Sequence, residues 1–216
     1  MIKIGDWINR MRHNRGFGVQ SPTAFFFVTQ VLKEKLPYYA YKEIDCIAAQ
    51  CGTHSKKMCR RLFRVANYLH PKSIIAIGNG AAAPLCALAA AASSAHVALI
   101  ATGSPLPPAA AQYLAGRESH LPHGTTLQQQ LQAHAAPHLL FIDRDSDITS
   151  ALQATLPHAS KGTAIIADGI HTSPERLKQW EEAVKNPQTI VTYDLYSFGI
   201  LLFDNEKQKQ HYTLKM

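Results

Sequence analysis

Four short apolar segments recur along the later part of the chain, and they constrain its fold more than any other feature. They are IIAIG (74–78), HVALIAT (96–102), HLLFID (138–143) and GTAIIAD (162–168). Continuous apolar strands are typical of parallel sheets, because helices cover both faces of such a sheet. Helix-forming stretches follow them, at 82–92, 106–116, 147–155 and 174–185. Strand alternating with helix predicts an α/β fold with a doubly wound, mostly parallel sheet.

The pattern changes near the C-terminus. TIVTYDLYSFGILLFDNE (189–206) contains two predicted strands joined by a turn that is too short for a helical crossover. Two such strands must pair antiparallel. QHYTLKM (210–216) is predicted as one more edge strand. The sheet is therefore expected to end in an antiparallel C-terminal hairpin.

The first 70 residues have a different character. Amphipathic helices are predicted at 2–12 and 53–69, and Ser21 is placed to cap a helix that begins near Pro22. We therefore predict an N-terminal helical extension, residues 1–70, packed on a Rossmann-like domain, residues 71–216. The two are expected to form one structural unit.

Charge is unevenly distributed along the chain. Residues 1–72 hold 13 Lys and Arg against 4 Asp and Glu, a net charge of +9, whereas residues 73–216 hold 9 against 11, a net charge of −2. A basic third can attract nucleic acid, an anionic membrane surface or an acidic substrate. However, KKMCRRLFRVANYL (56–69) spaces its charges around an apolar stripe, which favours a solvated helical face. With no RNA-binding or helix-turn-helix signature, nucleic acid is not expected as a partner.

Hydropathy and cysteine content indicate the cellular compartment in which the protein is expected. No apolar run reaches the ~20 residues of a membrane span, so no membrane partner is expected. The N-terminus has no secretory h-region, and the four cysteines show no CxxC pairing. These observations predict a cytoplasmic protein with reduced thiols.

Candidate site residues follow from the predicted sheet, since ligands of open parallel sheets bind beyond the carboxyl ends of the strands. Gly78 and Gly80 would let the backbone turn tightly and approach a ligand, and the next helix would offer its N-terminal amides. A GxG pair is a weak signal alone, but here it lies between a buried strand and a helix.

Acidic residues end two of the predicted strands. Asp143 and Asp168 could bind a divalent cation, orient a substrate hydroxyl or act as a general base, or they could simply cap a helix or order a loop. His171 could shuttle a proton. Ser173 precedes Pro174 and is predicted to be an N-cap rather than a nucleophile.

Two motifs resemble a known family. The segment from 167 to 216, ADGIHTSPERLKQW to HYTLKM, resembles the C-terminal part of bacterial class I S-adenosylmethionine-dependent methyltransferases. RGFGVQSPTAFFF (15–27) is similar to the segment that opens the same proteins. The resemblance implies a Rossmann-like, seven-stranded sheet with an antiparallel last strand. It also implies transfer of a methyl group from a sulfonium, in which the enzyme aligns the acceptor and removes or shields its proton.

The chain departs from this family at several positions. Ala76 stands where an acid normally holds the amino-acid end of the cofactor, and Thr102 where an acid normally accepts the ribose hydroxyls. Gly169 replaces the second member of the acidic pair, which removes a potential metal ligand, and no metal site is predicted. Charge-assisted hydrogen bonds contribute roughly 1.5–3 kcal/mol each, so these losses would weaken cofactor binding.

Two functional hypotheses remain. In the first, the chain is an S-adenosylmethionine-dependent methyltransferase acting on a small molecule, at oxygen. Its cofactor-binding residues would be Gly78, Asn79, Gly80, Thr102 and Asp143, and its catalytic residues Asp143, Asp168 and His171. In the second, the chain is a catalytically inactive binding or assembly protein of the same fold. A homodimer is compatible with either hypothesis.

Overall fold

Seven strands form one mixed sheet in the computed structural model, which describes residues 21–101, 105–115 and 126–214. The strands are β1 (Ser73–Ile77), β2 (His96–Ile100), β3 (His138–Ile142), β4 (Thr163–Asp168), β5 (Val191–Asp194), β6 (Phe198–Phe203) and β7 (Gln210–Thr213). Their order across the sheet is β2-β1-β3-β4-β6-β5-β7. The four apolar segments of the sequence thus form the parallel half of the sheet, as predicted.

The pairing directions confirm the predicted hairpin. β1 pairs parallel with β2 and β3, and β3 pairs parallel with β4. β6 runs antiparallel to both of its neighbours, β4 and β5. β7 pairs parallel with β5 at the sheet edge, where the sequence predicts a further strand.

Eight α-helices surround the sheet within the described residues. They are α1 (Pro22–Phe26, continued by a π-helical segment, Phe27–Leu32), α2 (Ala40–Cys51), α3 (Lys56–Leu69), α4 (Ala82–Ala91), α5 (Pro108–Ala115), α6 (Leu127–Ala133), α7 (Ile148–Thr155) and α8 (Pro174–Lys185). The sequence predicts six of them and misses α2 and α6. The helix predicted at 2–12 lies outside the described residues.

Two predicted helix caps are present. Ser21 Oγ accepts a hydrogen bond from Ala24 N, and Ser173 Oγ accepts one from Arg176 N at 3.1 Å. Side-chain caps of this kind satisfy amides that have no intrahelical partner. The proline after each cap is compatible with the first helical turn, which explains why the serine-proline pairs begin helices here.

The larger apolar core lies on one face of the sheet. It joins side chains of the π-helical segment, α2, α3 and α4 to those of β1 and β6. Helix α4 is rich in alanine and buried along most of its length, so its small side chains let α3 pack closely against it. Residues 21–69 therefore contribute to the same core as the sheet.

The second core covers the opposite face, where α7 and α8 pack. Trp180 of α8 is its largest buried side chain, and it rests on the backbone of Gly199 in β6. A Cβ at Gly199 would lie 2.4 Å from the Trp180 ring, closer than packed atoms can approach. The tryptophan and the glycine therefore form a matched pair that fixes α8 over the hairpin. Within the described residues, no helix has the length and apolarity that crossing a membrane requires.

Candidate active site

The glycine loop after β1 is held by the end of β3. Gly78 has φ +111°, and a Cβ there would lie 2.5 Å from Asp143 Cβ and 2.7 Å from Ser146 Oγ. A Cβ at Gly80 would lie 2.6 Å from Asp143 Oδ2. Both positions therefore need glycine because the β3 loop packs directly on them. The Gly80 amide donates a hydrogen bond to Asp143 Oδ2 at 2.9 Å, which joins the two predicted site segments.

Asp143 and Asp168 are brought together by the sheet, as their positions at neighbouring strand ends predict. Both are buried, with 3% and 2% of their surface exposed. The residue that links them is His54, whose Nε2 lies 3.1 Å from Asp168 Oδ2 and 4.0 Å from Asp143 Oδ1. His54 is itself buried, and its ring contacts Phe141 edge-on.

His54 reaches this position through the short connection between α2 and α3. Ser55 caps α3 by accepting a hydrogen bond from Met58 N, and Thr53 Oγ1 donates to the Gly80 carbonyl at 3.2 Å. These contacts anchor the connection to the helix and to the glycine loop. The sequence offered no spacing that marks His54, since its partners lie far away along the chain.

Asp168 sits between two basic side chains. Burial alone would raise the pKa of its carboxyl, but the hydrogen bond and charge of His54, together with Arg144, lower it. The Arg144 Nε donates to Asp168 Oδ2 at 3.1 Å. The carboxylate is therefore ionised at neutral pH and accepts hydrogen bonds from both neighbours.

Arg176 joins the ends of β3 and β4 through hydrogen bonds to their main-chain carbonyls. Only 5% of its surface is exposed, and burial lowers the pKa of its guanidinium. Its Nη2 donates to the carbonyls of Asp143 and Asp168, each at 2.9 Å, and its Nη1 donates to the Ser146 carbonyl. The sequence places this arginine in the first turn of a helix and gives no sign of this role.

His171 lies apart from this cluster. Its Nε2 is 2.9 Å from Asp194 Oδ2 at the end of β5, and its ring stacks on Tyr196 with centroids 4.9 Å apart. Neither Asp143 nor Asp168 is among these partners. The histidine that lies beside the two aspartates is therefore His54, and the catalytic role of His171 stays a prediction.

The substituted positions have clear structural surroundings. Ala76 has no exposed surface and belongs to the larger apolar core. Gly169 has φ +64°, and its amide donates to the Ser197 carbonyl at 2.7 Å. Asn79 is exposed at the tip of the glycine loop. Thr102 lies outside the described residues.

Three side chains offer a potential cation site. His54, Asp143 and Asp168 each present a ligand atom, and these atoms all lie within 4.8 Å of one another. An imidazole with two carboxylates is a donor set that divalent transition metals accept. However, the Gly80 amide and Arg144 already donate to the two carboxylates, so the cluster is hydrogen-bonded without an ion. The absence of a metal stays a prediction.

No protein-family model matches the sequence, and no curated protein matches it significantly. Solved structures do match the fold. An O-methyltransferase from Bacillus cereus in complex with SAH superposes with a TM-score of 0.58 at 17% identity, covering 84% of this chain and 97% of that one. A methyltransferase from Geobacter sulfurreducens gives 0.59 at 17% identity, covering 82% and 96%.

A third structure extends the match. The O-methyltransferase TomG from Streptomyces achromogenes, involved in tomaymycin synthesis and in complex with SAM, gives a TM-score of 0.57 at 16% identity, covering 90% of this chain and 98% of that one. At such identities the likeness concerns the fold. The chain therefore has the class I S-adenosylmethionine-dependent methyltransferase fold, as the resemblance of its terminal motifs predicts.

Proposed function

We propose that this protein is an S-adenosylmethionine-dependent methyltransferase that acts on a small-molecule acceptor at oxygen. One observation carries the proposal: the glycine loop and two buried aspartates meet at the carboxyl edge of a class I methyltransferase sheet. Open α/β sheets bind their ligands at this edge. The solved structures of similar fold that hold SAM or SAH support the same cofactor here.

The cofactor would lie against the loop formed by Gly78, Asn79 and Gly80. The absence of side chains at the two glycines lets a ligand approach the backbone closely. Asn79 is exposed at the loop tip and could offer its amide to the amino-acid end of the cofactor, where Ala76 cannot. Thr102 would supply a hydroxyl near the ribose in place of the usual carboxylate.

The acceptor would meet the buried acids. Methyl transfer is a displacement at carbon in which the acceptor oxygen must be aligned and must lose its proton. Asp168 holds His54 by a hydrogen bond, an arrangement in which a carboxylate orients an imidazole. We assign the proton-accepting role to the carboxylates of Asp143 and Asp168, with His54 holding Asp168 in place, while His171 with Asp194 would line the adjacent part of the acceptor site.

Calorimetric titration with S-adenosylhomocysteine tests the cofactor assignment. Gly80→Ala would place a Cβ 2.6 Å from Asp143 Oδ2, so the loop or the carboxylate must shift. We expect this change to weaken SAH binding by about tenfold or more, equivalent to about 1.4 kcal/mol.

Gly52→Ala is the matched control. Gly52 also has a positive φ, +68°, but a Cβ there would meet nothing within 4 Å, and it ends α2. Gly52→Ala should lose about 1–2 kcal/mol of stability through backbone strain. Its affinity for SAH should equal that of the wild-type protein. Absence of heat from the wild-type protein at millimolar SAH would refute the proposal.

A second function is favoured by specific contacts. Ala76 lies inside an apolar core, the Gly80 amide is already paired with Asp143, and Asp168 is already paired with two basic groups. A catalytically inactive binding or assembly protein would tolerate these features. Transfer of a labelled methyl group to phenolic or carboxylate acceptors, at a rate that Asp168→Asn abolishes, would exclude this alternative.

A further inference from the structure

A cationic cleft of about 630 Å³ lies between the end of the π-helical segment and α3. Ten described residues line it; seven of these are lysine or arginine, and Glu34 is the one acid among them. The basic side chains on which the argument rests are Lys35, Lys56, Lys57, Arg60, Arg61 and Arg64. The volume is within the usual range of small-molecule sites, roughly 300–1,000 Å³.

Two of the arginines build the wall of the cleft. Arg64 donates to the carbonyls of Val31 and Leu32, at 2.7 and 2.9 Å, and its Nη1 donates to Tyr41 Oη at 3.0 Å. Arg60 donates to both carboxylate oxygens of Asp45, through Nε and Nη2. The helices that form the cleft are therefore held in place by their own hydrogen bonds, before any ligand binds.

Arg61 has no such partner. Its side chain is largely buried, with 9% of the residue exposed, and among the described residues no carboxylate or carbonyl accepts a hydrogen bond from it. Burial and the neighbouring charge of Arg64 both lower the pKa of Arg61. Buried charges are normally paired, because transfer out of water is costly without a counter-charge. Arg61 lines the cleft, so an anion bound there would supply this guanidinium with a counter-charge.

Three lysines of the cleft have no acidic partner within the described residues. Lys35, Lys56 and Lys57 make no ion pair there, and the Glu34 carboxylate accepts a hydrogen bond from Tyr38 Oη at 2.8 Å. The described lining residues therefore carry a surplus of positive charge, which favours a ligand with several negative charges.

We propose that this cleft binds the phosphoryl groups of a small phosphorylated compound, at a site separate from the glycine loop. Guanidinium groups match the oxygens of phosphate in geometry, and lysines add point charges around them. The Tyr41 ring is covered by the Arg60 guanidinium, 5.0 Å from its centroid, so it is not free to stack on a base. This favours a compact phosphorylated ligand over single-stranded nucleic acid, which relies on stacking.

Titration with inorganic pyrophosphate tests the proposal on the full chain. Wild-type protein should bind it with a Kd below about 1 mM, and Arg61→Gln should weaken binding by about tenfold or more. Lys57 is exposed, so its replacement by glutamine leaves the core unchanged. Lys57→Gln should weaken pyrophosphate binding about threefold or more. Lys178→Gln on α8 is the control, because it removes one exposed charge away from the cleft.

The outcomes are distinct. Equal losses in Lys57→Gln and Lys178→Gln would show a response to net charge alone and overturn the proposal, as would absence of pyrophosphate binding up to about 10 mM. Tighter binding of a short RNA than of pyrophosphate, with the same dependence on Arg61, would assign the cleft to nucleic acid instead. Because no S-adenosyl compound is used, failure here leaves the proposed methyltransferase activity untouched.

Discussion

Replacing Arg176 by methionine should destabilise the loops that follow β3 and β4. The guanidinium donates to the main-chain carbonyls of Asp143, Ser146 and Asp168, and it is 5% exposed. These carbonyls belong to the loops that follow β3 and β4. Methionine has similar length but no donor, so all three carbonyls would lose a charged partner in a place with little access to water.

The magnitude follows from these contacts. A hydrogen bond from a charged donor contributes about 1.5–3 kcal/mol, so three carbonyls amount to roughly 4–9 kcal/mol in gross terms. Removal of the guanidinium also removes its desolvation penalty, which the lowered pKa of Arg176 reflects. We therefore expect a net loss of about 3–5 kcal/mol in the free energy of unfolding, near the lower end of the gross range.

Urea unfolding followed by circular dichroism measures this loss. Arg60→Met is the matched control, since Arg60 pairs with Asp45 while 43% of its side chain is exposed. Exposed pairs contribute about 0–1 kcal/mol, so this variant should remain close to the wild type. If Arg176→Met loses no more free energy than Arg60→Met, the inference that Arg176 holds the ends of β3 and β4 together is wrong.

Two further predictions concern the second core and the buried acid. Gly199→Ala should cost at least about 1–3 kcal/mol in urea unfolding, because its Cβ would lie 2.4 Å from the Trp180 ring, and a loss below this range would contradict the packing. The lowered pKa of Asp168 adds stability that is present above its unfolded pKa of about 3.9 and is lost as pH falls through the lower folded value. The stability difference between wild type and Asp168→Asn should therefore shrink below about pH 4, and a difference that stays constant from pH 7 to pH 3 would contradict it.

Local patterns explain how much of the fold the sequence predicts. The four apolar segments form the parallel strands because each presents apolar side chains to both faces of the sheet. Such strands are stable only where helices cover both faces. The predicted caps at Ser21 and Ser173 depend on neighbouring residues alone, and both are present. Helix α2 was missed because its first turn follows an aromatic stretch without a polar cap, and its end depends on Gly52 in the left-handed conformation.

The candidate site was predictable only in part. The proximity of Gly78, Gly80, Asp143 and Asp168 was predictable because strand ends converge at one edge of a parallel sheet. In the structure Asp143 lies against both glycines, and His54 links it to Asp168. His54 was not found, since its contacts with the aspartates span 89 to 114 positions of the chain and follow no local pattern. Arg176 was missed for the same reason, because its acceptors are main-chain carbonyls that the sequence does not identify.

The sequence by itself therefore determined the alternation of strands and helices, the antiparallel hairpin and the acids at the strand ends, since each depends on residues close together in the chain. Only the tertiary structure decided which groups meet. It pairs Asp168 with His54 and His171 with Asp194, and it places Arg61 in the wall of the cationic cleft. The physical reason is that burial and charge pairing arise from packing between distant segments, and no periodicity along a single chain encodes those contacts.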